Sequence, residues 1–302
     1  MMSPRSFFAF LLVALGIETT LLAQQDAQST FYFFNPLQFN AANAGQRGTL
    51  HAVAGNRLQW IGWDGAPRTQ YVAVDAPVFR NRLGLGTNWI NDRTGNRSFL
   101  TGNAHVAYHL PTGIHDITLS FGLNGGFQNN RADFQGLRID DPLDPAYTQA
   151  YRASSWNFGS GVLATRDGAY IGLSMPHMIR QELAGGVLRR HVFITGGYRH
   201  EVSSTLVLEP SVLFKMTSGA PAALDLNLRA RVFDAIGAGV LYRMNESLGF
   251  FAAYRLDPNL DIGYAFDFPV NGARMGNFGH HELALVLDIR GRRAAYTNPR
   301  LF

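Results

Sequence analysis

Over much of this chain every second residue is apolar. In Leu224-Asp225-Leu226-Asn227-Leu228-Arg229-Ala230-Arg231-Val232 the intervening positions are polar or charged, and the same holds for Asn259 to Asp267 and for Glu282 to Arg290. A strand sends successive side chains to opposite faces, so such alternation asks for an apolar medium on one side and water on the other. Turn-forming residues divide positions 47 to 302 into about fourteen such segments: 47–60, 66–78, 82–92, 97–110, 114–127, 153–165, 168–176, 190–201, 204–217, 221–233, 236–243, 246–256, 259–268 and 279–290. Many run to about 9 to 13 residues, which suits a tilted crossing of a bilayer, whereas strands of soluble domains average about 5 to 6.

The connections separate soluble sandwich from membrane barrel. Those after even-numbered segments are short: Arg80-Asn81-Arg82, Pro111-Thr112-Gly113, Arg166-Asp167-Gly168, Val202-Ser203, Asp234-Ala235 and Asp257-Pro258-Asn259. The long ones, about 128–152, 177–189 and 269–278, all follow odd-numbered segments. Sorting of loops by parity and an even strand count are the layout of outer-membrane barrels. The expectation is an all-β fold, a single antiparallel outer-membrane β-barrel of about fourteen strands with both termini periplasmic. Twelve strands keep the parity if one hairpin stays outside the membrane.

The first residues read as a signal peptide, with Arg5, an apolar run from Phe7 to Ile17, and a small residue, Ala23, at the end. The expected organisation is a signal peptide at 1–23, an N-terminal periplasmic or plug segment at 24–46, a transmembrane barrel at 47–290 and a basic periplasmic tail at 291–302. A fourteen-stranded barrel is too wide for wall side chains alone to fill it, so the lumen is wet or plugged. Charges expected to face it include Glu209, Lys215, Asp225, Arg229, Arg231, Asp261, Asp267 and Glu282, whose mixed signs favour internal pairing over an ion-selective field. Aromatic residues near segment ends, among them Trp89, Tyr108, Trp156, Tyr170, Tyr198, Tyr242 and Tyr254, are candidates for interfacial girdles.

Composition removes several alternatives. The chain has no cysteine, so disulfides and thiolate metal sites are out. The net charge of +4 comes from basic residues scattered singly, which is not a nucleic-acid footprint. No phosphate-binding loop, nucleophile elbow or zinc helix occurs, and Ser174 and His177, three positions apart on a strand, point to opposite faces. No catalytic, cofactor or metal residues are expected, and outer-membrane lipid is the expected surrounding.

One string is denser than the rest: Arg57-Leu58-Gln59-Trp60-Ile61-Gly62-Trp63-Asp64-Gly65-Ala66-Pro67-Arg68-Thr69. Gly62, Asp64-Gly65 and Pro67 form turns, Trp60 and Trp63 suit a membrane interface, and Arg57 and Gln59 share the inward face. With Phe34-Asn35-Pro36, Asn43-Ala44-Gly45, Asn91-Asp92-Arg93-Thr94-Gly95, Tyr170 to His177, Glu209-Pro210-Ser211 and Gly263 to Asp267, it resembles the PorP/SprF family of type IX secretion system membrane proteins. That resemblance implies a non-enzymatic outer-membrane component in a Gram-negative bacterium, serving protein secretion and gliding motility. It further implies partners in the periplasmic ring and lipoproteins of the machinery and a secreted or surface adhesin. The hairpin residues Arg57, Gln59, Trp60, Gly62, Trp63, Asp64, Gly65, Ala66, Pro67 and Thr69 then read as a structural brace or a partner-docking motif. The alternative is a passive porin or small-solute channel.

Overall fold

The computed structural model describes residues 28–79, 81–133, 151–179, 181–183, 186–188, 190–218, 220–270 and 278–289; the expected signal peptide and basic tail lie outside them. The strands are β1 (Leu50–Leu58), β2 (Arg68–Val78), β3 (Leu83–Thr94), β4 (Arg97–Pro111), β5 (Thr118–Ala132), β6 (Tyr151–Arg166) and β7 (Ala169–His177). They continue as β8 (His191–Gly197), β9 (Leu206–Thr217), β10 (Ala223–Val232), β11 (Ile236–Arg243), β12 (Ser247–Asp257), β13 (Leu260–Pro269) and β14 (His280–Ile289). His200–Glu201 prolongs β8 along β9 in unchanged register, so these pieces make fourteen staves. Every neighbouring pair is antiparallel, and β1 closes on β14 from Leu50↔Ile289 to Leu58↔His281. The small hairpin of Gln181–Leu183 with Gly186–Leu188 stands apart from the barrel sheet.

Apolar side chains such as Val72, Leu123, Phe158, Ile171, Leu228 and Leu285 cover the outside, while His51, Asn88, Asn103, Asn124, Asp225 and Glu282 are buried inside. This polarity is the reverse of a soluble barrel's and is what a hydrocarbon surrounding demands. One end carries only the brief connections of the even strands, and the other carries 59–67, 133–150, 178–190 and 270–279. These are the turn end and the long-loop end below.

The strands outrun the hydrophobic pattern most at β5 and β6. β5 and β6 pair on to Ala132↔Tyr151, through Asn130↔Ala153 and Arg131↔Arg152, beyond the segment end expected near 127. Apolar alternation records how far a strand lies in hydrocarbon, whereas the hydrogen-bond ladder continues wherever a neighbour remains in register.

Residues 28–48 run inside the barrel from the long-loop end to the turn end, through short 3-10 turns at Pro36–Gln38 and Ala41–Asn43. Phe31, Phe34, Leu37 and Ala44 form one core with the wall residues Val53, Tyr71, Ala73, Ala107, Phe251, Ala265, Ala284 and Val286. Tyr32 and Phe39 form another with Phe193, Leu213 and Leu241. The 3-10 turns are held locally: Asn40 Oδ1 accepts from the Ala42 amide at 2.9 Å, and Asn40 Nδ2 donates to the Val162 carbonyl of β6 at 3.0 Å.

The wall is thinned with glycine where this segment lies. A Cβ at Gly84 would land on the Ala44 carbonyl, one at Gly122 on the Ala41–Ala42 backbone, and one at Gly161 on the Asn40 side chain. Gly122→Leu is therefore expected to unseat residues 28–48 by overpacking worth about 1–3 kcal/mol while the wall ladder stays paired. Limited proteolysis should then cut this segment in a barrel that still shows the gel-mobility shift of a folded β-barrel; unchanged protection would refute the packing argument.

Candidate functional site

The first-hairpin string divides between lumen and surface. Arg57, 1% exposed, points inward from the end of β1, and Thr69 at the start of β2 donates through Oγ1 to Asp92 Oδ1 at 2.6 Å. Between them the chain is strapped to both neighbours. The Gln59 amide donates to the Pro67 carbonyl (2.9 Å), the Trp60 amide to His280 Nδ1 (3.1 Å), the Phe278 amide to the Ile61 carbonyl (2.9 Å) and the Gly95 amide to the Gly65 carbonyl (2.8 Å). Gly62 and Gly65 hold φ of 100° and 72°, a region that favours glycine, and Ala66 donates its amide to the Trp63 carbonyl. Pro67 is buried, while Trp63 (45% exposed) and Asp64 face outward at the long-loop end.

The eight charges expected in the lumen all sit on the inward face, and they fall at two heights. Near the long-loop end Arg57 contacts Asp267 at 2.5 Å and Glu282 at 3.1 Å, Arg243 contacts Asp225 at 3.3 Å, and Lys215 contacts Asp225 at 2.9 Å. Near the turn end Glu209 contacts Arg229 at 2.5 Å and stands 3.8 Å from Arg231, while Asp261 contacts Arg255 at 2.8 Å.

The upper cluster also holds the luminal segment. The Thr30 amide donates to Glu282 Oε2 at 2.7 Å, Thr30 Oγ1 bonds Asp267, Ser29 Oγ donates to Glu282 Oε1, and Arg243 reaches the Ser29 carbonyl at 3.4 Å. Tyr71 adds its hydroxyl to Glu282 at 2.9 Å, and Gln28 bonds Glu246 at 3.1 Å.

Arg243, Tyr71, Glu246, Ser29 and Thr30 are the members that sequence reasoning missed. On β11 the inward positions Gly237, Gly239 and Leu241 look like ordinary wall, so Arg243 carries no alternation signal. Its role follows from the register that sets it opposite Asp225.

Ser174 is not poised as a nucleophile: its hydroxyl donates to the Phe39 carbonyl at 2.8 Å and so helps seat the segment. Of the expected girdle residues, Trp89, Tyr108, Trp156, Tyr198, Tyr242 and Tyr254 are exposed on the barrel, whereas Tyr170 lines an internal chamber. Among the described residues no three His, Asp or Glu side chains gather as a metal site needs.

Arg57, Asp267 and Glu282 are each buried, so removing one charge strands its partners away from water. Arg57→Met is expected to destabilise the folded barrel by about 3–5 kcal/mol, and the triple variant with Asp267→Asn and Glu282→Gln to recover most of that loss. Urea unfolding in detergent, followed by gel mobility, measures both; a triple variant no better than the single one would refute the pairing.

No curated relative matches the chain. Among solved structures it is similar to the CymD monoaromatic hydrocarbon channel, with TM-score 0.51, 12% identity, 85% of this chain and 93% of that one covered. It is also similar to Acinetobacter baumannii outer membrane protein Omp33, with TM-score 0.48, 9% identity, 82% of this chain and 100% of that one covered. At such identities the likeness is one of fold. The family described as type IX secretion system membrane protein PorP/SprF matches residues 21–287, and this outer-membrane barrel belongs to that family.

Proposed function

We propose that this barrel is a non-enzymatic accessory of type IX secretion that binds a secreted or surface-retained adhesin at its long-loop end. The observation that carries this reading is a lumen filled by residues 28–48 beneath a first hairpin that is rigidly strapped yet turns Trp63 and Asp64 outward. An aromatic ring and a carboxylate on a pre-organised corner suit protein recognition, because little entropy is lost on binding. In this reading the long-loop end faces the outside, the signal peptide is removed on export, and the tail beyond Ile289 leaves at the turn end toward the periplasmic ring and its lipoproteins.

Two measurements test it. Trp63→Ala with Asp64→Ala is expected to leave barrel assembly intact and to lower the surface or medium level of at least one type IX cargo by about tenfold, the effect of losing about 1.4 kcal/mol of binding. Proteomics of both fractions, beside a deletion strain, reads this out; unchanged localisation of every cargo in the deletion strain would sink the proposal. In planar bilayers the purified protein is expected to stay closed, since the lumen is packed along 28–48. A steady open conductance favours the passive channel instead.

A further inference from the structure

Between the luminal segment and the wall, the turn end holds a chamber of about 110 Å³ bordered by Arg47, Asp75, Arg199, Glu209, Asn227 and Arg229. Its charges are unevenly shared. Glu209 gives Oε2 to Arg229 at 2.5 Å, while its Oε1 stands 3.8 Å from Arg199 Nη1 and 3.8 Å from Arg231 Nη2, beyond hydrogen-bond length. Glu201 stands 3.4 Å from Arg199, and Asp234 3.5 Å from Arg231; with side chains 69% and 67% exposed, both approach from the watery rim, where attraction is screened. Arg229 lies with its guanidinium 4.7 Å from the centre of the Phe33 ring, so its flat face is taken, its Nε–Nη2 edge is held by Glu209, and it contributes charge to the chamber.

The polar atoms left over have one sign. Arg199 Nε and Nη1 and Asn227 Nδ2 are buried without a hydrogen-bond partner, and Asn227 is 5% exposed. All three are donors. The lining carries three guanidiniums, Arg47, Arg199 and Arg229, against two carboxylates, Glu209 and Asp75, and buried donors in such a surplus of positive charge call for an acceptor that carries negative charge. The chamber is several times larger than the roughly 10–15 Å³ that one water needs, which suits one small anionic group. Tyr198, 47% exposed, stands at its rim, so the approach is from the turn end.

We propose that this chamber binds an oxyanion group, a carboxylate or a phosphate, seated among Arg199, Arg229 and Asn227. The site goes beyond the secretion reading and stands independently of what docks at the long-loop end. Guanidinium N–H donors of Arg199 and the Asn227 amide N–H on one oxyanion give directional recognition, and the rim at Tyr198 and Gly168 leaves room for the rest of the ligand.

Calorimetric titration of the full detergent-solubilised protein with sodium phosphate, with glutarate and with neutral glutaramide tests it. Phosphate or glutarate is expected to bind saturably and glutaramide not at all. Arg199→Gln should weaken binding by about tenfold or more, equivalent to about 1.4 kcal/mol. Asn227→Asp, which plants a carboxylate in the chamber, should abolish binding while the barrel keeps its gel-mobility shift. If Arg199→Gln fails to assemble, Asn227→Asp alone decides. Preference for phosphate identifies a free or lipid-borne phosphate as the natural group, and preference for glutarate identifies a polypeptide carboxylate; either supports the site. Absence of saturable binding by both anions, or native affinity in both variants, overturns it.

Discussion

Thr30 sits where Arg57, Asp267 and Glu282 meet, and the rest of the molecule depends on that meeting. A barrel of fourteen strands encloses more space than its own inward side chains can fill. A second piece of chain must enter, bringing backbone groups that need partners away from water. The carboxylates of β13 and β14 accept from that backbone and its hydroxyls, and Arg57 on β1 neutralises them both. Filling the lumen and burying the charges therefore solve each other's problem, with the Tyr71 hydroxyl and Arg243 completing the network.

The same economy explains the wall. Its outer face is held to apolar residues by hydrocarbon, and its inner face is free to vary. The inner face is used in two ways: as glycine, where Gly84, Gly122 and Gly161 let the segment's backbone touch the ladder, and as charge, where ions meet from strands distant in sequence. Rigidity at the surface follows from within. The hairpin 59–67 is tied to Gly95 and to Phe278–His280, and its base is Arg57, so the corner that presents Trp63 and Asp64 is an extension of the luminal network. Changes at Arg57 and changes at Trp63 are thus distinguishable by which of assembly and recognition they touch.

The segment also partitions the interior. Toward the long-loop end lie amides such as Asn88, Asn103 and Asn124 and the paired ions around Arg57 and Asp225, and toward the turn end lies the chamber where several arginines crowd Glu209. The two ends of one barrel consequently offer different chemistry to the two sides of a membrane, although the strands that build them repeat the same alternation. The membrane-spanning pattern constrains what faces lipid and says nothing about this axial difference.

The sequence by itself determined the strands, their even number and the sorting of connections, because hydrocarbon on one face and polar surroundings on the other force an alternation that any stretch such as Leu224–Val232 displays. It also marked Arg57 to Thr69 as unusual and placed Glu209, Lys215, Asp225, Arg229, Arg231, Asp261, Asp267 and Glu282 inward by parity. Only the tertiary structure decided which of these meet. Arg57 and Asp267 are 210 residues apart, and Thr30 and Glu282 are 252 apart. Closure of β1 on β14 brings the first pair together, and the path of residues 28–48 the second. Alternation reports a side chain's face and not its height or its neighbour across the lumen, which is why Arg243 was invisible and why the crowding of Arg199, Arg229 and Arg231 on one carboxylate emerged only with the register.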